Sequence, residues 1–234
     1  MRAEVVMKSA LAETKGLRIK LLGDSITHGV GGTGFEQNGE PITKGYARNP
    51  DGYCWAKRFK EYMEETYGCT VTNNACTGTR IEFILERFEE LVSPEDDLIL
   101  CTIGTNNRHF YFKDGDKPSR EALGKAFYEN VLKLYQTFKD HGKSVIFMAN
   151  LPAAASNEKD GKDYWRILHM DDINQIYKKA AETAGFPLIS MYDLFSDYCK
   201  ENALTVDELL CDGLHPNDRG YDVMFELLKK ELEL

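Results

Sequence analysis

Ser25 stands in the run Gly23-Asp24-Ser25-Ile26-Thr27, directly behind a short apolar stretch. A serine hydroxyl attacks a carbonyl only when a base takes its proton, a further group orients that base and donors meet the developing oxyanion. A serine just past a buried strand, behind a glycine that permits a tight turn, can be held exposed over a sheet edge. The same residue also suits a plain turn that caps the next helix, and these five residues alone do not separate the two. The G-x-S-x-G turn, another common setting for such a serine, is absent.

Near the other end, Asp212-Gly213-Leu214-His215-Pro216 puts a carboxylate three residues before an imidazole. If the segment turns like a helix, both side chains point to one side. The carboxylate can then hold one ring nitrogen while the other faces a hydroxyl. An Asp-Gly turn with a surface histidine fits the segment equally well. Two intermediate positions offer oxyanion donors. Gly78 follows Asn73-Asn74-Ala75-Cys76-Thr77, where a glycine lets a ligand approach the backbone N–H. Asn106, in Gly104-Thr105-Asn106-Asn107, carries a neutral amide donor. Each also reads as an ordinary turn residue.

These positions need a frame that gathers them. Leu17 to Leu22, Thr70 to Ala75, Asp97 to Ile103, Ser144 to Ala149 and Leu188 to Ser190 read as strands. Helical spacing recurs between them. Trp55, Phe59, Tyr62 and Met63 precede Gly68; Ile81 to Val92 stops near Pro94; Leu123 to Phe138 runs to His141-Gly142; Ile173 to Ala184 precedes Gly185. Thr205 with Glu208 has capping-box spacing for a short helix, and Tyr221 to Leu232 closes the chain. Alternation of this kind predicts a parallel five-stranded sheet covered on both faces, a three-layer α/β/α sandwich, with residues 1–234 as one domain and its core over about 17–232. Connections into strands are short, whereas 24–51, 104–118 and 150–163, which leave strands, are long. The long ones gather at the carboxyl edge of the sheet, where such folds bind ligands.

Composition narrows the class. Hydrophobic residues make up 42% and the net charge is −9, a sign that argues against nucleic acid or an anionic membrane surface as the main partner. No apolar run is long enough to span a bilayer. Met1 to Lys20 has no apolar core of a secretory signal, so a cytoplasmic location is expected. The six cysteines form no C-x-x-C pair and no metal-ligand spacing, and they read as reduced thiols. No metal and no cofactor is expected. Among the remaining histidines, His28 is expected to pack a loop and His141 to sit at a helix end, and His169 has no evident partner.

Taken together, GDSIT near the N-terminus, a glycine after strand two, G-x-N after strand three and D-x-x-H near the C-terminus resemble the four blocks of the SGNH (GDSL) hydrolase family, over about residues 18–220. The resemblance implies a flavodoxin-like fold and a serine ester hydrolase working through an acyl-enzyme. It implies Ser25 as nucleophile, His215 as base and then acid, and Asp212 as its orienter. The oxyanion hole would comprise the N–H groups of Ser25 and Gly78 with the Asn106 amide. Asn107 stands where the family often has Asp, Ala75 where many members have a glycine, and Ile26 where the name motif has Leu.

Asp24, Asn107 and His109 are expected to line the substrate site. The first long loop is rich in glycine (Gly29, Gly31, Gly32, Gly34, Gly39, Gly45). The others carry Phe110, Tyr111, Phe112, Tyr164 and Trp165, which suit sugar faces or simply pack the loops. No stretch suggests a fatty-acyl tunnel. The expected substrate is therefore a small-molecule or carbohydrate ester with a short acyl group. A lysophospholipase or thioesterase for longer chains, and a non-catalytic flavodoxin-like ligand binder, are the rivals.

Overall fold

The computed structural model describes residues 2–35, 40–43, 46–48 and 51–234. Gly39 and Gly45 of the first long loop lie outside the described residues. Five strands, β1 (Arg18–Gly23), β2 (Thr70–Asn73), β3 (Leu98–Thr102), β4 (Ser144–Ala149) and β5 (Leu188–Ser190), form a parallel sheet in the order β2-β1-β3-β4-β5. This is the flavodoxin-like order, which changes direction between β1 and β3.

Side chains alternate across the strands and so feed two apolar layers. Ile19, Leu21, Leu98, Leu100, Ile146 and Met148 face one side. They pack there with Met7, Trp55, Phe59, Phe195, Met224 and Leu228. Leu22, Ile99, Cys101, Val145 and Phe147 face the other, against Ile84, Phe127, Leu134, Phe138 and Tyr177. The first layer is covered by α1 (Ala3–Glu13), α2 (Trp55–Tyr67), α6 (Met191–Glu201) and α7 (Asp218–Glu231), and the second by α3 (Ile81–Glu86), α4 (Arg120–Asp140) and α5 (Met170–Ala184). Each fully buried Phe or Leu contributes roughly 1.5–3 kcal/mol, so the sheet is held from both faces.

Local chemistry sets the helix starts. Ser119 Oγ accepts from Ala122 N at 3.0 Å to open α4, and Asn217 Oδ1 accepts from Gly220 N at 3.0 Å to open α7. The five expected strands are present with ends moved by a residue or two. Helices α1 and α6 are additions to the sequence reading. The expected single helix over Ile81 to Val92 is two pieces, α3 and Phe88–Leu91, separated at Arg87. The long loops also contain ordered backbone. Glu40–Thr43 pairs antiparallel with Tyr46–Arg48. His109–Tyr111 from the second loop pairs with Tyr164–Arg166 at the end of the third, making one ribbon. Among the described residues no helix is long and apolar enough to cross a membrane.

Candidate active site

Strand β1 ends at Gly23, and Ser25 opens the one-turn helix Ser25–His28. Gly23 serves here through space rather than through an unusual turn. A Cβ at this position would sit 2.6 Å from the Thr102 carbonyl oxygen on β3 and 2.5 Å from Thr27 Oγ1. Only glycine lets the turn lie this close to the centre of the sheet.

The loop after Leu210 brings the base to this turn. Asp212 Oδ1 accepts from the N–H groups of Leu214 (3.0 Å) and His215 (2.8 Å), Cys211 N donates to His215 O (2.8 Å), and Leu210 bridges to Pro216. The segment is thus a side-chain-locked turn rather than a helical one. His215 Nδ1 lies 2.7 Å from Asp212 Oδ2, and His215 Nε2 lies 2.8 Å from Ser25 Oγ. An Nδ1–H donated to the carboxylate leaves Nε2 as the acceptor for the serine hydroxyl. Burial pushes the Asp212 carboxyl up, but the N–H groups and charge of His215 outweigh it and hold the group below its ordinary 3.8. It therefore stays a carboxylate while facing the ring.

The turns after β2 and β3 are tied to the serine turn. Cys76 N donates to Gly23 O at 3.0 Å, Asn73 Nδ2 donates to Thr27 O at 2.8 Å, and Thr79 Oγ1 lies 3.2 Å from Gly23 O. Gly78 has φ 78°, a left-handed conformation that glycine adopts freely. Among the described residues the N–H groups of Ser25 and Gly78 are donated to no protein acceptor. Asn106 Nδ2 donates to Thr79 O at 2.8 Å, which fixes the amide and leaves its second N–H available. The arrangement can accept a proton from Ser25 and can offer three neutral donors to an oxyanion.

Other expected site residues face inward. Asp24 is fully buried, with Oδ1 accepting from Ile26 N (3.1 Å) and Oδ2 from Asn150 Nδ2 (3.1 Å). Burial pushes its carboxyl up, against hydrogen bonds from Thr105 and the Ile26 N–H. Asn107 is buried and caps α3 from outside, with Oδ1 accepting from Ile81 N (3.0 Å) and Nδ2 donating to Glu82 (2.9 Å). His109 is buried in the ribbon between Tyr111 and Tyr164, with ring centroids 4.9 and 4.7 Å away. His28 is buried, its Nδ1 2.6 Å from Thr77 Oγ1, and burial lowers its pKa to about 4. His141 closes α4 against Thr137 O (2.8 Å) and Glu89 (3.0 Å). His169 precedes α5 and donates its N–H to Asp172 (2.7 Å). Burial pushes the Cys76 thiol up to about 12, so it is no rival nucleophile.

Three supporting residues escaped the sequence reading. Asn150, the first residue past β4, bridges Asp24 to Thr105 Oγ1 (2.6 Å) beneath the serine. Tyr221 on α7 hydroxyl-bonds the carbonyls of Ile26 (3.2 Å) and Val30 (2.6 Å), tying that helix to the serine turn. Arg108 is buried and joins the Asn106 turn (Thr105 O, 3.0 Å) to Glu158 (2.8 Å) and Asn157 (3.0 Å) in the third loop. Asn150 had a positional signal, a polar residue at the carboxyl end of a buried strand; the other two had none.

A family model described as the GDSL-like lipase/acylhydrolase family matches residues 21–223. No curated protein matches the chain in sequence. Among solved structures the chain is similar to Axe2, an acetylxylan esterase from Geobacillus stearothermophilus, at TM-score 0.67 and 20% identity, covering 94% of this chain and 95% of that one. A variant of Axe2 described as an acetyl-xylooligosaccharide esterase gives TM-score 0.68 at 20% identity, with 94% and 95% covered. A protein of Parabacteroides merdae described as a GDSL-like lipase gives 0.66 at 16%, with 94% and 97% covered. At these identities the structural likeness speaks to the fold.

Proposed function

The chain belongs to the GDSL-like lipase/acylhydrolase family and is an ester hydrolase, and on that premise we propose that Ser25, His215 and Asp212 remove short acyl groups, acetyl above all, from a carbohydrate alcohol. The observation that carries the reading is the unbroken hydrogen-bond chain from Asp212 Oδ2 through the imidazole to Ser25 Oγ, 2.7 and 2.8 Å in its two links.

In this reading Ser25 Oγ attacks the ester carbonyl carbon while its proton passes to His215 Nε2. Asp212 holds Nδ1–H and stabilises the imidazolium. The negative charge moves onto the carbonyl oxygen, which the N–H groups of Ser25 and Gly78 and the free N–H of Asn106 receive. Collapse of this intermediate expels the alcohol, protonated by His215, and leaves an acyl-serine. Water then gives a proton to Nε2 and attacks the acyl carbon; collapse of this second intermediate returns the proton from Nε2 to Ser25 Oγ and releases the carboxylic acid.

The acetyl-carbohydrate choice draws on the Axe2 likeness and on the aromatic side chains of the ribbon beside the Asn106 turn. Asp24, Asn107 and His109 act in it as the supports on which the outward groups rest. Five buried free cysteines and an exposed free Cys211 fit a reducing, cytoplasmic setting.

Hydrolysis of p-nitrophenyl acetate and octanoate by wild type and Ser25→Ala tests the reading. Acetate turnover that vanishes in the variant and falls with chain length supports it. A rate on the octanoate above that on the acetate removes the short-acyl assignment, and equal rates in both proteins remove Ser25.

A further inference from the structure

Three guanidinium groups converge on the ribbon of His109–Tyr111 and Tyr164–Arg166, and among the described residues only that of Arg108 has a carboxylate partner. Arg108 pairs with Glu158 at 2.8 Å. Among the described residues no carboxylate lies within 4.0 Å of the guanidinium of Arg80 or of Arg166. Arg80 Nη2 donates to His109 O at 2.8 Å, and the group stands over the Tyr111 ring, 5.4 Å from its centre. Arg166 lies over Tyr164 at 5.0 Å, and its Nη2 reaches the Tyr164 hydroxyl at 3.2 Å and Asn157 Oδ1 at 3.4 Å. Its Nε and Nη1 are buried with no acceptor. Lys113 Nζ adds a further cation 5.6 Å from the Tyr111 ring.

The ribbon borders the candidate active site on two sides. Arg80 follows Gly78 by two residues, and His109 follows Asn106 by three. Asn157, which contacts both Arg108 and Arg166, packs against Gly213 of the Asp212–His215 turn, 3.9 Å from where a Cβ there would lie. His109, ringed by these groups, has its pKa lowered to about 3 by burial and then by Arg80, Arg166 and Arg108. It therefore stays neutral and gives the cluster no switchable charge. A chain of net charge −9 thus keeps two guanidinium groups with no carboxylate at hydrogen-bond distance among the described residues, although Asp160 Oδ1 accepts from the Arg166 backbone N–H at 2.6 Å. An anion brought to the ribbon beside Arg80 meets the positive potential of both guanidinium groups.

We propose that Arg80, Tyr111, Tyr164 and Arg166 form a subsite for a sugar carboxylate, so that the enzyme acts on acetyl esters of acidic oligosaccharides. The tyrosine rings receive the sugar's apolar face and half-buried Arg80 the planar carboxylate, while Arg166 supplies positive potential from behind Tyr164. This inference rests on the carbohydrate-ester reading above.

The test compares acetyl release from an acetylated xylo-oligosaccharide bearing glucuronate with release from the same compound after its carboxyl is reduced to the alcohol. Wild type is expected to favour the acidic form by about tenfold in kcat/KM, the effect of one charge-assisted hydrogen bond. Arg80→Gln and Arg166→Gln are expected to bring the ratio towards one, with Arg80→Lys keeping part of it. A wild-type ratio near one, or a ratio unchanged in Arg80→Gln, overturns the subsite.

Inhibition of p-nitrophenyl acetate hydrolysis separates this failure from failure of the carbohydrate reading. If neither oligosaccharide loses acetyl while p-nitrophenyl acetate is turned over, the carbohydrate reading falls and inhibition decides the subsite. Glucuronate that inhibits wild type about tenfold better than glucose, and loses this advantage in Arg80→Gln, supports it. Equal inhibition by the two sugars, or stronger inhibition by inorganic phosphate, overturns it.

Discussion

Asp24 with His28 and Asp212 with His215 each place an imidazole shortly after a carboxylate, and the fold sends the two pairs in opposite directions. Asp24 and His28 are fully buried; burial drives the carboxyl up and the imidazole down to about 4, so both are pushed towards their neutral forms. The side chains of Asp212 and His215 are 52% and 16% exposed, and the carboxyl is held low by its hydrogen bonds. His28 is three residues from Ser25, yet its Nδ1 is engaged by Thr77, while His215, 190 residues away, meets the serine hydroxyl. Burial and partners, rather than sequence distance, decide which pair is fit for proton transfer. The same division runs through adjacent residues: Asn107 is spent on α3, and Asn106 keeps an N–H to offer.

Exchanging the two histidines gives the largest contrast. His215→Ala is expected to lower kcat on p-nitrophenyl acetate by roughly 10⁴-fold or more, and His28→Gln by less than about tenfold, the scale of a modest shift in supporting structure. Comparable losses in the two variants would erase the distinction. The carboxylates come next: Asp212→Asn should cost about 10²- to 10⁴-fold in kcat by upsetting the tautomer and orientation of the ring, visible in initial rates at saturating ester.

The asparagine pair gives a smaller and qualitatively different split. Asn106→Ala should lose about 10²- to 10³-fold in kcat. Asn107→Ala should instead cost about 1–3 kcal/mol in urea unfolding, because the Ile81 N–H is left without its acceptor. An Asn107 variant with wild-type stability and a matching kcat loss would move that residue to the outward set.

The smallest effects are in the pH dependence of stability. Asp24 titrates above its ordinary 3.8 in the folded chain, so its contribution is full below 3.8 and is lost as pH rises through the raised value. Asp24→Asn should flatten that decline in denaturation midpoints taken from acid to neutral pH. Asp212 has the opposite sign: its contribution is present above 3.8 and is lost as pH falls through its lowered value. At its exposure that contribution is under ~1 kcal/mol. A decline towards neutral pH that survives in Asp24→Asn would assign it to another group.

Strands β1, β3 and β4 were legible as short, largely buried runs, β2 and β5, which are only partly buried, by their place in the alternation, and α2, α4, α5 and α7 because their apolar residues recur at helical spacing. Helix α1 was not, since it buries only Ala3, Glu4 and Met7 and its sequence carries little stripe. Helix α6 carries a spacing, Met191, Phe195 and Cys199, that is short and lies directly between β5 and the Thr205 cap. The three-residue strands of the ribbon are too short for alternation to register.

Residue types and their order along the chain determined the alternating fold, the edge on which the long loops gather and the residues able to attack, accept a proton or donate to an oxyanion. Tertiary structure decided which of them gather at the Ser25 turn. Asp24, His28, Asn107 and His109 are the same residue types as their outward counterparts, and only packing turned them inward. It also decided that Arg166 on the ribbon and Arg80 beside it would stand, among the described residues, with no carboxylate at their guanidinium groups. A side chain's chemistry is written in its type, but its charge state and direction depend on what surrounds it, and those surroundings come from residues far away in the chain.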